Sequence, residues 1–73
     1  MNFKEATDRL FDGVHHTKLA EELGVSVATI RQARLGEDAK AHRNPPKEWQ
    51  RSVIRLAERE MMRLRKLIED IRQ

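Results

Sequence analysis

Residues 23–36 read LGVSVATIRQARLG. The stretch carries its own punctuation. Gly24 can take a left-handed backbone that other residues resist, so it ends one helix. Two residues on, Ser26 offers the side-chain oxygen that caps the next. Val27, Ile30 and Ala33 then recur at helical spacing, with the stem of Arg34 alongside, and Gly36 reads as the stop. Upstream, HHTKLAEELG supplies the preceding helix. Thr17 is its expected cap, and Leu19, Ala20 and Leu23 face inward. Two short helices joined by a turn containing Gly form a helix-turn-helix. A small residue is needed at Ala20, where the helices cross. Val25 and Ile30 pin the second helix against the first.

The flanking segments complete a helical chain. In NFKEATDRLFDGV, Phe3, Ala6, Leu10, Phe11 and Val14 form one apolar stripe. Asn2 and Glu5 have the spacing of a capping box, and Gly13 reads as the end of this helix. Residues 37–46, EDAKAHRNPP, read as a loop, because Asn44 precedes two prolines and is held extended. Pro46 suits the first turn of a helix. From there to Gln73 no Gly or Pro interrupts the pattern. A helix of that length spans about 40 Å, more than three short helices can cover. Trp49 is expected to anchor it on the first three helices. Farther on, Met61, Leu64, Ile68 and Ile71 recur three and four apart with Leu67 beside them, a heptad-like seam. An uncovered seam of this kind usually meets its own copy. The alternatives are that the helix bends back to complete a monomer, or that the seam holds a different protein.

Composition narrows the function. Seventy-three residues without Cys leave room for one small domain with no disulfide or thiolate metal site. No apolar run approaches the roughly 18 residues of a membrane span, and no signal-peptide pattern opens the chain, so a cytoplasmic protein is expected. The net charge of +3 is unevenly spread: residues 1–24 carry −2, residues 25–55 carry +4 and residues 56–73 carry +1. Basic charge in the middle suggests a polyanionic partner there. A solvated mixed-charge surface is the plainer alternative. His15 and His16 point apart on a helix, His42 lies in the loop, and no spaced carboxylate cluster accompanies them. A metal centre is not expected, nor a cofactor or small-molecule ligand. No Gly-rich phosphate loop and no nucleophile with a base is present, which argues against an enzyme.

TKLAEELGVSVATIRQARL, residues 17–35 and roughly a quarter of the chain, resembles the phage-repressor type of helix-turn-helix family, which includes the lambda repressor and Cro. LGEDAKAHRNPP followed by a helix is also similar, less closely, to the small anti-CRISPR-associated autorepressors of phages. The resemblance implies that residues 26–35 enter the major groove of double-stranded DNA. Ser26, Val27, Ala28, Thr29, Arg31 and Gln32 would then face bases and phosphates. Arg31 can donate two hydrogen bonds to guanine, Gln32 can pair with adenine, and Val27 or Ala28 can touch a thymine methyl. Thr29 would bond a phosphate. Many members carry Gln near the start of the first motif helix; here the stretch is His16-Thr17-Lys18, so Thr17 or Lys18 would take that contact. Arg34 is a further candidate; the alternative is that its azimuth carries it away from the groove. Lys40 and Arg43 would grip phosphates from the loop. The plainer alternative for Arg31, Gln32, Lys40 and Arg43 is solvated surface, and for Ser26 a cap alone.

The expected architecture is all-α: a three-helix core at 1–36 with the motif at 17–35, a loop at 37–46, and a long helix at 46–73 that completes the core and dimerises. The expected function is a homodimeric DNA-binding transcription regulator, a repressor on an inverted-repeat operator of a phage or mobile element. An antitoxin-like or accessory protein whose last helix binds another protein is the alternative. A protein-interaction module without DNA is the other.

Overall fold

The computed structural model describes residues 1–73. Asn2 opens the chain's first helix as the sequence requires. Its side chain accepts from the Glu5 N–H at 2.8 Å, and Glu5 accepts from the Asn2 N–H at 3.3 Å, so two otherwise orphaned donors are satisfied reciprocally. Helix α1 then runs Phe3–Leu10, α2 His16–Leu23, α3 Val27–Ala33 and α4 Trp49–Arg72. The chain is all-helical.

The α2–α3 turn is fixed by Gly24, whose φ of 70° is the only positive one in the chain. Gly24 donates to the Glu21 carbonyl at 3.2 Å and Val25 to the Ala20 carbonyl at 3.0 Å. That pair of bonds is a Schellman motif, which closes the last turn of α2 on itself. Ser26 caps α3, accepting from the Thr29 N–H at 3.1 Å. Three residues therefore reverse the chain from one helix to the next. Leu19 and Ile30, one on each helix, are wholly buried where the two meet.

Phe3, Leu10, Val14, Leu19, Ala20, Ile30, Ala33 and Leu56 form the core, each from the stripe that its helical spacing defines. Thr7 is buried among them. Its hydroxyl donates to the Phe3 carbonyl at 2.7 Å, so the polar atom is satisfied within its own helix. Helix α4 packs on α1 and α2. Trp49 and Phe3 meet in a T-shaped pair, with ring centroids 5.3 Å apart. Glu22 on α2 takes two arginines of α4, Arg55 at 2.8 Å and Arg59 at 3.0 Å.

Four sequence-based boundaries move. Thr17 does not cap α2; the helix begins two residues earlier than a Thr17 cap would require, with His15 at the cap position and no side-chain bond from it. Helix α3 ends at Ala33, with Arg34 as its right-handed cap, so Gly36 is not the stop. Gly13 does not end α1, which stops at Leu10; a side chain there would bring its Cβ within 2.8 Å of the Glu60 carboxylate, so Gly13 serves the close approach of α4. Helix α4 starts at Trp49, because Pro46 opens a separate turn in which Trp49 donates to the Pro46 carbonyl at 3.1 Å.

The molecule measures 53 × 20 × 17 Å. Its length comes from α4, about 36 Å at 1.5 Å per residue. The helix does not bend back over the core. Every residue from Met61 to Gln73 is exposed, including Met61, Leu64, Leu67, Ile68 and Ile71. No helix is long and apolar enough to cross a membrane.

Candidate nucleic-acid interface

Burial of Ile30 and Ala33 fixes which way α3 turns. With those two inward, Ser26, Ala28 and Arg31 are exposed, and Val27, Thr29 and Gln32 lie half-buried at the margins. The outward face is thus short side chains at the helix start and a long cation one turn on. The Thr29 and Ser26 hydroxyls lie 3.0 Å apart, so the Thr29 side chain shares in the cap. One proton is spent between them, so one of the two hydroxyls keeps its O–H for an outside acceptor.

The loop after α3 returns to this helix. The Arg43 N–H donates to the Gln32 carbonyl at 3.2 Å, and the His42 Nδ1–H donates to the Leu35 carbonyl at 2.9 Å. Two intervening turns support this path, Ala39 N–H to Gly36 carbonyl and His42 N–H to Ala39 carbonyl, each at 3.0 Å. Carbonyls left over at the α3 C-terminus are satisfied by the loop. As a result Lys40 and Arg43, both exposed, are tethered beside the end of α3 rather than swinging free. This return was not evident from sequence, although His42 among small residues was a usable signal.

Arg34 leaves the outward set. Its side chain is only 21% exposed and pairs with the Asp8 carboxylate of α1. Its guanidinium also sits 4.8 Å over the Phe11 ring and donates to His16 Nε2 at 3.2 Å. His16 in turn stacks on Phe11 with centroids 3.9 Å apart. An azimuth that turns Arg34 inward makes it a tie between the ends of α1, α2 and α3. Because arginine can only donate, His16 Nε2 must accept, which requires the neutral ring. Burial, followed by the fields of Arg34, Arg31 and His15, lowers the His16 pKa and favours that form. Asp8 lies below the usual carboxylate range through its bond to Lys4, at 2.8 Å, and then through Arg34.

Lys18 and Thr17 are both exposed on the first turn of α2. Lys18 lines a cleft between α2 and α4 with Glu21, Glu22, Arg59 and Glu60. Its charge, after the stronger bond from Arg63, helps hold the Glu60 carboxyl below its usual range. Lys18 therefore borders the α2–α4 cleft. Glu22 is likewise depressed, by the bonds from Arg55 and then Arg59. No group of three His, Cys, Asp or Glu side chains is placed to hold a metal ion.

No model of a known protein family matches the chain, and no similar chain is found among curated proteins or solved structures.

Proposed function

We propose that the chain is a sequence-specific DNA-binding transcription regulator, with α2–turn–α3 as its helix-turn-helix and α3 as the helix that lies in the major groove. The observation that carries this reading is the outward face of α3. Ser26, Ala28 and Arg31 stand clear of the core at the helix start and one turn later, where base edges would be met. Arg31 is the base reader, bidentate on guanine. Gln32 at the margin pairs with adenine, and Val27 or Ala28 meets a thymine methyl. The hydroxyl of the Ser26–Thr29 pair that keeps its proton bonds phosphate, and Lys40 and Arg43 grip the backbone from the tethered loop.

The bare second half of α4 supports a homodimer. Two copies would present two α3 helices to half-sites about 34 Å apart, so the operator is an inverted repeat. Repression would follow from occupying promoter DNA, and the phage-repressor resemblance points to a phage or mobile element. The same bare helix favours a second reading, in which α4 holds a different protein and the dimer is absent; sedimentation of the pure chain separates the two.

The test is to incubate the protein with random-sequence duplex DNA and sequence what is retained. An enriched inverted repeat supports the proposal. Retention without any enriched sequence, or no salt-sensitive retention, overturns it.

A further inference from the structure

Helices α1 and α4 run side by side in the same direction. Phe3 meets Trp49 near one end, and Gly13 lies against Glu60 at the other. Between them is an open groove of about 670 Å³ whose walls include Ala6, Leu10, Val53, Ala57, Met61 and Leu64. The groove continues without a break into the bare seam of α4. Ile54 is also exposed, at 57%, and extends the seam backward. Ile54, Ala57, Met61, Leu64, Ile68 and Ile71 are spaced three, four, three, four and three apart. That series reads the same in both directions.

A palindromic spacing has a physical consequence. Laid antiparallel on a second copy of itself, every member meets another member: Ile54 with Ile71, Ala57 with Ile68, Met61 with Leu64, and each again by symmetry. Such an interface is self-complementary about a two-fold axis, as a closed dimer requires. We propose that the α1–α4 groove receives the second half of α4 from a second copy of this chain, antiparallel and in this register. The proposal rests on the homodimer reading above and supplies its geometry.

Charge agrees with the register. Glu58, on one flank of the seam, comes beside Arg65 of the second copy. Arg9, a wall of the groove on α1, lies between the Phe3 and Gly13 ends, at the level that Asp70 of the second copy reaches. A shift of one heptad keeps the spacing but pairs fewer members: one direction pairs Met61 with Ile71 and Leu64 with Ile68 and leaves Ile54, Ala57 and the groove uncovered, and the other pairs Ile54 with Leu64 and Ala57 with Met61 and leaves Ile68 and Ile71 uncovered. A parallel pair also leaves the groove empty.

Cysteine pairs test this in the full chain, which has no Cys of its own. Ala57 and Ile68 are about 16 Å apart along one helix, too far for a disulfide within a chain. Mild oxidation of Ala57→Cys/Ile68→Cys should give mostly covalent dimer on a non-reducing gel, and Ile54→Cys/Ile71→Cys should do the same. Met61→Cys/Ile71→Cys and Ile71→Cys alone should stay mostly single-chain. A dimer that cross-links through Met61→Cys/Ile71→Cys, or through Ile71→Cys alone, overturns the register and leaves the homodimer standing. An unmodified protein that sediments as a monomer at the concentrations of the cross-linking overturns both.

Discussion

The two halves of α4 follow one apolar spacing and have opposite surroundings. In the first half Leu56 is 5% exposed, held down by α1 and α2, with Arg55 and Arg59 locked on Glu22. In the second half Leu64 is 43% exposed and Ile71 is 73% exposed, and the charged pairs stay within the helix, as Lys66 does with Asp70 at 2.8 Å. Apolar spacing alone does not decide burial: reach and facing do, since Ile54 in the first half is itself 57% exposed. Helices α1 and α2, of eight residues each, span about 12 Å. They cover the helix to about Glu60 and no farther. What lies beyond is exposed along its whole length.

Substitutions in the two halves and their neighbours should separate accordingly. Ile30→Ala, in the core that the first half closes, should lose about 2–5 kcal/mol, measured by denaturant unfolding. If Ile30→Ala cost no more than an exposed substitution, the contact between α2 and α3 would be misplaced. Leu64→Glu with Ile68→Glu, in the bare half, should leave the helical content intact but give monomers in sedimentation. It should also abolish any rise of melting temperature with protein concentration. An intact dimer would remove the seam from the interface.

Arg34→Ala should lower the melting temperature by a few degrees, and Asp8→Asn should do so too. Their combination should fall short of the sum, because both act through one tie. Full additivity would mean that the Asp8–Arg34 pair is not formed. The same tie gives a pH dependence. The His16 pKa is depressed on folding, so the unfolded chain binds the extra proton first. Its contribution is present above the ordinary histidine value of about 6.5 and is lost as pH falls through the lower folded value. Between pH 7.5 and 5.5 the melting temperature should fall, and His16→Gln should flatten that fall. The smallest effects belong to the loop: Lys40→Ala and Arg43→Ala should each reduce the salt slope of DNA binding by about 0.9 without altering the preferred sequence. An unchanged slope would put these residues off the backbone.

Much of the fold was legible because local chemistry decides it. Gly24 and Ser26 bracket a three-residue turn that few other residues could make, and Asn2 with Glu5 forms its capping box as spaced. The errors arose where a residue's reason is tertiary. Gly13 looks like a helix stop in one dimension, but its neighbour in space is the carboxylate of Glu60, forty-seven positions away. Arg34 looks like one more outward cation after Arg31, yet Asp8, Phe11 and His16 converge on it from elements that no local pattern links. Thr17 is a better cap than His15 by composition, but the placement of Leu19 and Ala20 in the core sets where α2 begins. The outward positions of Ser26, Ala28 and Arg31 were legible for the opposite reason: they follow directly from Ile30 and Ala33 being buried.

The most direct measurement is a binding titration on a duplex enriched from the random pool, with the unmodified chain and with Arg31→Ala. A loss of about 1–3 kcal/mol, with relaxed choice at a single base pair, is the expected result. Equal affinity and unchanged preference would contradict the assignment of α3 as the helix that reads the sequence.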